Sequence, residues 1–180
     1  QKTHFPHNFS TWYPWYTTEI QKKVDRINNW QIDINEGRID DKMVDGIDIF
    51  FEIQLIRGGP LINEIIAKAN GVVGCYRKKE LGENTECSKK DHFYQNLKYH
   101  VISGHDFTIS AYLTILGAKA KFEPDGGYPL YAAAVVTELF IDQKNQTVFR
   151  LIYRDGPNSQ FRVITQFVDG CDGEFCSYEV

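Results

Sequence analysis

At 180 residues, with 42% hydrophobic and 14% aromatic content, the chain can bury a sizeable core and has the composition of a globular protein. Its net charge of −4 gives no general attraction for nucleic acid or anionic membrane, so neither is an expected partner. No apolar run approaches the ~20 residues that span a bilayer, and no signal peptide is visible.

Residues up to about Pro14 read as an aromatic, extended arm, with Trp12, Tyr13, Trp15 and Tyr16 suited to core packing or to contact with another part of the protein. Thr17-Thr18-Glu19 starts a helix through Ile20, Val24 and Ile27, which Asn28-Asn29 is expected to loosen or end. From Asp40 to Leu55, Met43, Val44, Ile47, Phe50, Phe51 and Leu55 approximate a helical stripe despite Gly46. Gly58-Gly59-Pro60 is expected to break the chain and open a third helix on Leu61, Ile62, Ile65, Ile66 and Ala69. Gly74 to Asp91 is polar and bounded by Cys75 and Cys87, which reads as an exposed loop.

Tyr99 to Ile102 has strand composition, and Phe107, Ile109, Tyr112, Leu113, Ile115 and Leu116 recur at helical spacing up to a stop at Gly117. Ala132 to Ile141 and Thr147 to Tyr153 read as strands joined by a hairpin-sized polar link. Helices followed by a strand-helix-strand-strand block imply an α/β fold. Ser103-Gly104-His105-Asp106 falls between the strand and helix of that block, where free N–H groups of a helix start favour an anion such as phosphate. The plainer reading makes Asp106 an N-cap and His105 a turn residue.

Other chemistry-bearing residues point to structure. His4 and His7 lack matching ligands, so no metal and no cofactor is expected, and His92 and His100 read as structural or solvated. Glu138 suits a paired carboxylate within a strand, and Arg150 and Arg154 alternate with apolar residues as a solvent-facing side would. Cys75, Cys87, Cys171 and Cys176 fit disulfides in an oxidising compartment or reduced, buried thiols. Asn8-Phe9-Ser10 and Asn145-Gln146-Thr147 are glycosylation sequons, which favours a secreted or lysosomal location. The chain opens on Gln1 and its one methionine is Met43, so a longer precursor is expected.

Ser103-Gly104-His105-Asp106-Phe107-Thr108, Gly117, Gly127-Tyr128-Pro129-Leu130-Tyr131-Ala132 and Val136-Thr137-Glu138-Leu139 together resemble the C-terminal signature of the histidine acid phosphatases. Gly58-Gly59-Pro60-Leu61-Ile62-Asn63-Glu64-Ile65 is similar to the family's Gly-Gly-x-Leu helix start, and His7-Asn8-Phe9-Ser10 with Trp15-Tyr16-Thr17 to a segment of its helical cap. The family's Arg-His-Gly-x-Arg-x-Pro segment, which carries the nucleophilic histidine and the phosphate-holding arginines, does not occur in this sequence.

The resemblance implies the C-terminal part of a histidine-phosphatase-like sandwich, a central mixed sheet flanked by helices, plus part of a helical cap. Residues 1–70 would be cap and return helix, 71–96 an exposed loop and 97–180 the C-terminal part of the core. It also implies Asp106 as general acid and His105 as a phosphate ligand. Cys171–Cys176 resembles a short disulfide loop of the animal enzymes, and Cys75–Cys87 would close the polar loop in the same way. The function implied is hydrolysis of a small phosphomonoester through phosphohistidine, with the N-terminal half of the same enzyme, separate or cleaved, supplying the nucleophile. A homodimer is compatible with it. The competing reading is a non-catalytic binding or structural protein on a degenerate phosphatase scaffold.

Overall fold

The computed structural model describes residues 14–39, 43–80, 93, 97–122 and 126–178. The expectations for the arm before Pro14, for His4, His7, Asn8 and His92, and for Cys87 lie outside these residues. The first helix, α1 (Thr18–Asn35), begins where the sequence predicts, with the Thr17 hydroxyl accepting from the Ile20 N–H at 3.3 Å. It does not end at Asn28-Asn29. Asparagine costs only tenths of a kcal/mol within a helix, and the burial of Ile32 further along carries the turn onward. The stop is at Gly37 (φ +68°), where Gly37 N–H bonds to Ile34 O at 3.1 Å and Arg38 N–H to Asp33 O at 2.8 Å.

Residues 43–48 are not helical, contrary to the stripe read there. Strands β1 (Met43–Val44) and β2 (Ile47–Asp48) pair antiparallel around Asp45 (φ 52°) and Gly46 (φ 80°). Asp-Gly supplies the left-handed residues that a tight hairpin needs, and that local requirement overrode the apolar spacing. Asp48 then caps α2 (Ile49–Glu80) by accepting from Phe50 and Phe51 N–H at 3.0 and 3.1 Å.

Gly58-Gly59-Pro60 does not break the chain, and α2 passes straight through it. The glycines are buried, and a Cβ on Gly58 would stand 2.8 Å from Ala111 O and 2.9 Å from Ile115 Cγ2. The smallness of Gly58 lets α2 lie close against α3 (Asp106–Ile115), and this packing outweighs the helix-breaking tendency. The helix also covers residues 74–80 read as loop, with Arg77, Lys78 and Lys79 complementing its C-terminal dipole.

Residues 97–105 form no strand, which corrects the strand expected at Tyr99–Ile102. β-branched and aromatic residues favour pleated backbone only when a neighbour completes the ladder, and none of the described residues pairs here. Tyr99 is 79% and Val101 73% exposed. A short α4 (Lys119–Phe122) precedes β3 (Ala134–Ile141) and β4 (Thr147–Arg154), which form the expected hairpin from Ala134 opposite Arg154 to Ile141 opposite Thr147. Strands β5 (Arg162–Val163) and β6 (Cys176–Ser177) add antiparallel to the other side of β4. The Cys171–Cys176 disulfide holds β6 in place, and Cys75 is also disulfide-bonded.

The result is an α/β fold in which antiparallel sheet is flanked by helices. Its core is Tyr112, Leu113, Ala118, Leu151, Tyr153, Ile164 and Val168, with Leu61, Ile62 and Ile65 of α2 packed against it. Fully buried residues such as Leu113 and Leu151 each contribute roughly 1.5–3 kcal/mol. The Tyr112 hydroxyl meets the Thr137 hydroxyl at 2.7 Å, fixing α3 on β3. This packing sets the position of the start of α3.

Candidate functional site

His105, in extended conformation (φ −89°, ψ 171°), is the N-cap of α3, and Asp106 is its first helical residue. The cap is therefore one residue earlier than the plain reading of Asp106. The Thr108 hydroxyl accepts from the His105 N–H at 3.3 Å, and His105 O accepts from the Thr108 N–H at 3.0 Å. Asp106 Oδ1 accepts from the Phe107 N–H at 2.8 Å. The Phe107 and Thr108 amides are thus engaged within the turn, so they do not form the open amide cradle expected for an anion. What the helix start offers a ligand is therefore its side chains.

Those side chains converge through Phe107. The His105 ring stacks on it with centroids 5.4 Å apart and planes 17° from parallel, and the Arg57 guanidinium lies 5.8 Å from its centroid. His105, Asp106 and Phe107 are all exposed. Arg57 Nη2 donates to Glu36 Oε1 at 2.9 Å, and the Tyr128 hydroxyl donates to the same oxygen at 3.5 Å. Tyr128 is held protonated by burial, with the charges of Glu36 and Asp106 adding to that effect. A histidine, a carboxylate, a guanidinium and a phenol therefore share one face.

Sequence reasoning did not single out Glu36, Arg57 or Tyr128 as site residues. Arg57 flanks a quoted motif and Tyr128 lies within one, whereas Glu36 is marked only by the glycine that ends its helix. Glu36 is 1% exposed, and its Oε2 is buried without a hydrogen bond among the described residues. Burial raises its pKa above the ordinary 4.5, against the opposing pull of Arg57 and Arg38. Between 4.5 and the raised value the folded protein holds a proton that the unfolded chain has released. Stability from Glu36 is thus full below 4.5 and lost as pH rises through the folded value. In urea titrations of the full-length protein at successive pH values above 4.5, Glu36→Gln should remove that decline. A wild-type-to-variant stability difference that stayed constant with pH would refute the assignment.

The remaining candidates are occupied elsewhere. Arg150 binds Glu138 at 2.8 Å and Glu174 at 2.6 Å and lies 5.4 and 5.5 Å from the ring centroids of Phe140 and Phe175. Arg154 donates to Ala132 O at 3.2 Å, and His100 lies 4.0 Å from Glu64. No group of three or more histidine, cysteine or acidic residues among those described could hold a metal. No helix of the described chain is long and apolar enough to cross a membrane. Asn145 stands exposed in the β3–β4 turn at φ 60°, its amide donating to Glu80 at 3.3 Å.

The family model of the histidine phosphatase superfamily (branch 2) matches residues 2–154. The chain belongs to that superfamily. It is similar to two Caenorhabditis elegans proteins. "Putative acid phosphatase 10" is 31% identical over 176 residues, covering 96% of this chain and 41% of that protein. "Putative acid phosphatase 11" is 27% identical over 176 residues, again 96% of this chain and 41% of the relative. The chain thus spans less than half the length of these relatives. No solved structure matches it.

Proposed function

We propose that this chain is the C-terminal half of a secreted or lysosomal acid phosphatase that hydrolyses small phosphate monoesters through a phosphohistidine intermediate. The observation that carries the reading is the pairing of His105 and Asp106 at the exposed start of α3, with Arg57 beside them across Phe107. In this mechanism a histidine from the N-terminal part of the enzyme attacks phosphorus and the bond to the ester oxygen breaks. Asp106 protonates that oxygen as it leaves, and the resulting carboxylate then takes a proton from the water that cleaves phosphohistidine. His105 donates a hydrogen bond to a phosphoryl oxygen, where charge builds in the transition state.

The compartment is supported by the Cys171–Cys176 disulfide and by the exposed Asn145 of an intact sequon. The test uses the full-length protein with an aryl phosphate at acidic pH, quenched under alkaline conditions that preserve phosphohistidine. Turnover with a trapped phosphohistidine, strongly reduced in His105→Ala, is the expected result. Phosphate binding without turnover would instead establish the non-catalytic scaffold.

A further inference from the structure

Glu36 is the C-cap of α1, and its side chain is withdrawn from water, where a carboxylate is costly unless paired. Its hydrogen bonds run through one oxygen. Oε1 accepts from Arg57 Nη2 of α2 and from the Tyr128 hydroxyl, whereas Oε2 has no hydrogen bond among the described residues. Arg57 carries the effect of this buried group outward. Its side chain is 34% exposed, and its guanidinium lies over Phe107, the ring on which His105 stacks.

The charges around the pair come from every element packed against it. Arg57 of α2 and Arg38, just beyond α1, favour the ionised form of Glu36, as does the Tyr128 hydroxyl. Lys119 of α4 feels the Glu36 charge, and Tyr128 feels both Glu36 and Asp106. Burial outweighs the arginines, so Glu36 exchanges its proton above the ordinary 4.5.

Two states of the face follow. With Glu36 ionised, the Arg57 charge is offset within the pair. With Glu36 protonated, the carbonyl oxygen of the neutral carboxyl group still accepts the Arg57 N–H, so the guanidinium keeps its place while Glu36 no longer offsets its charge. An anion beside His105 then meets a more positive surface.

We propose that Glu36 is a positioning residue of the His105–Asp106 face: acting through Arg57, its buried carboxyl group holds the guanidinium over Phe107, and its charge state sets how tightly an anion binds there. The inference rests on the reading of that face as the phosphate-binding one, and its direction suits the acid phosphatase proposed above. The probe is inorganic sulfate, whose charge is constant over the range, titrated calorimetrically into the full-length protein at successive pH values above 4.5. His105→Ala identifies the binding that belongs to this face. Wild-type affinity should fall with rising pH more steeply than that of Glu36→Gln, and at the upper end of the series the variant should bind sulfate several-fold more tightly. His105 and Asp106 are present in both proteins, so the difference between the two profiles isolates Glu36. In an Arg57→Met background, Glu36→Gln should change affinity little. Parallel profiles of wild type and Glu36→Gln would overturn the proposal, as would the absence of His105-dependent sulfate binding or an effect of Glu36→Gln that persists in full without Arg57. Should Arg57→Met not fold, the comparison of wild type with Glu36→Gln still decides. Because binding is read without turnover, profiles that separate as expected in a protein that hydrolyses no phosphate ester would support the role of Glu36 and reject the phosphatase reading.

Discussion

Asp106→Asn in the full-length protein should lower turnover of alkyl phosphates by ~10²–10⁴-fold, the usual contribution of a positioned general acid. Asp106 sits at the first position of α3, where its Oδ1 accepts the Phe107 N–H, and asparagine can keep that bond through its own carbonyl. Folding should therefore change little, and an unchanged unfolding midpoint is the control. What the amide cannot do is release a proton to the departing oxygen. Aryl phosphates, whose leaving groups need little protonation, should lose much less activity than alkyl phosphates. A loss equal for both substrate classes, without accumulation of phosphorylated enzyme, would rule out the general-acid role.

The sequence was most informative where local signals and tertiary packing agree. Gly117 ends α3 as read, with Gly117 N–H bonded to Thr114 O and Ala118 N–H to Leu113 O, because a left-handed glycine is cheap there in any context. The β3–β4 hairpin follows from composition because each strand supplies the other's ladder. Gly58-Gly59-Pro60 was misleading for the opposite reason, since Gly58 serves a helix crossing that only the folded chain reveals. Tyr99–Ile102 has the composition of a strand but no partner among the described residues. His105 and Asp106 were legible through their motif, while the Glu36–Arg57–Tyr128 contacts join residues 21 and 92 positions apart in sequence. Spacing carries no signal for such pairs.

The polypeptide of residues 1–180, produced by itself, should hydrolyse no phosphomonoester. In the proposed mechanism His105 binds phosphate and Asp106 moves a proton, but phosphohistidine chemistry also needs a nucleophilic histidine framed by arginines, and this sequence contains no Arg-His-Gly segment. The fold gives a second reason. Strand β3 pairs only with β4 among the described residues, so its other edge presents backbone donors and acceptors with no ladder, close to where α3 packs. The exposed Tyr99 and Val101 precede the candidate site in a segment of strand composition that likewise has no partner there. Both features suit completion of the sheet by the N-terminal half proposed above, and left uncovered they favour aggregation. Co-expression with an upstream polypeptide bearing an Arg-His-Gly segment should restore solubility and activity together, as read by gel filtration and phosphate release. Activity from the isolated chain, shown by mass spectrometry to be free of any partner and abolished by His105→Ala, would mean that a histidine of this chain is itself the nucleophile.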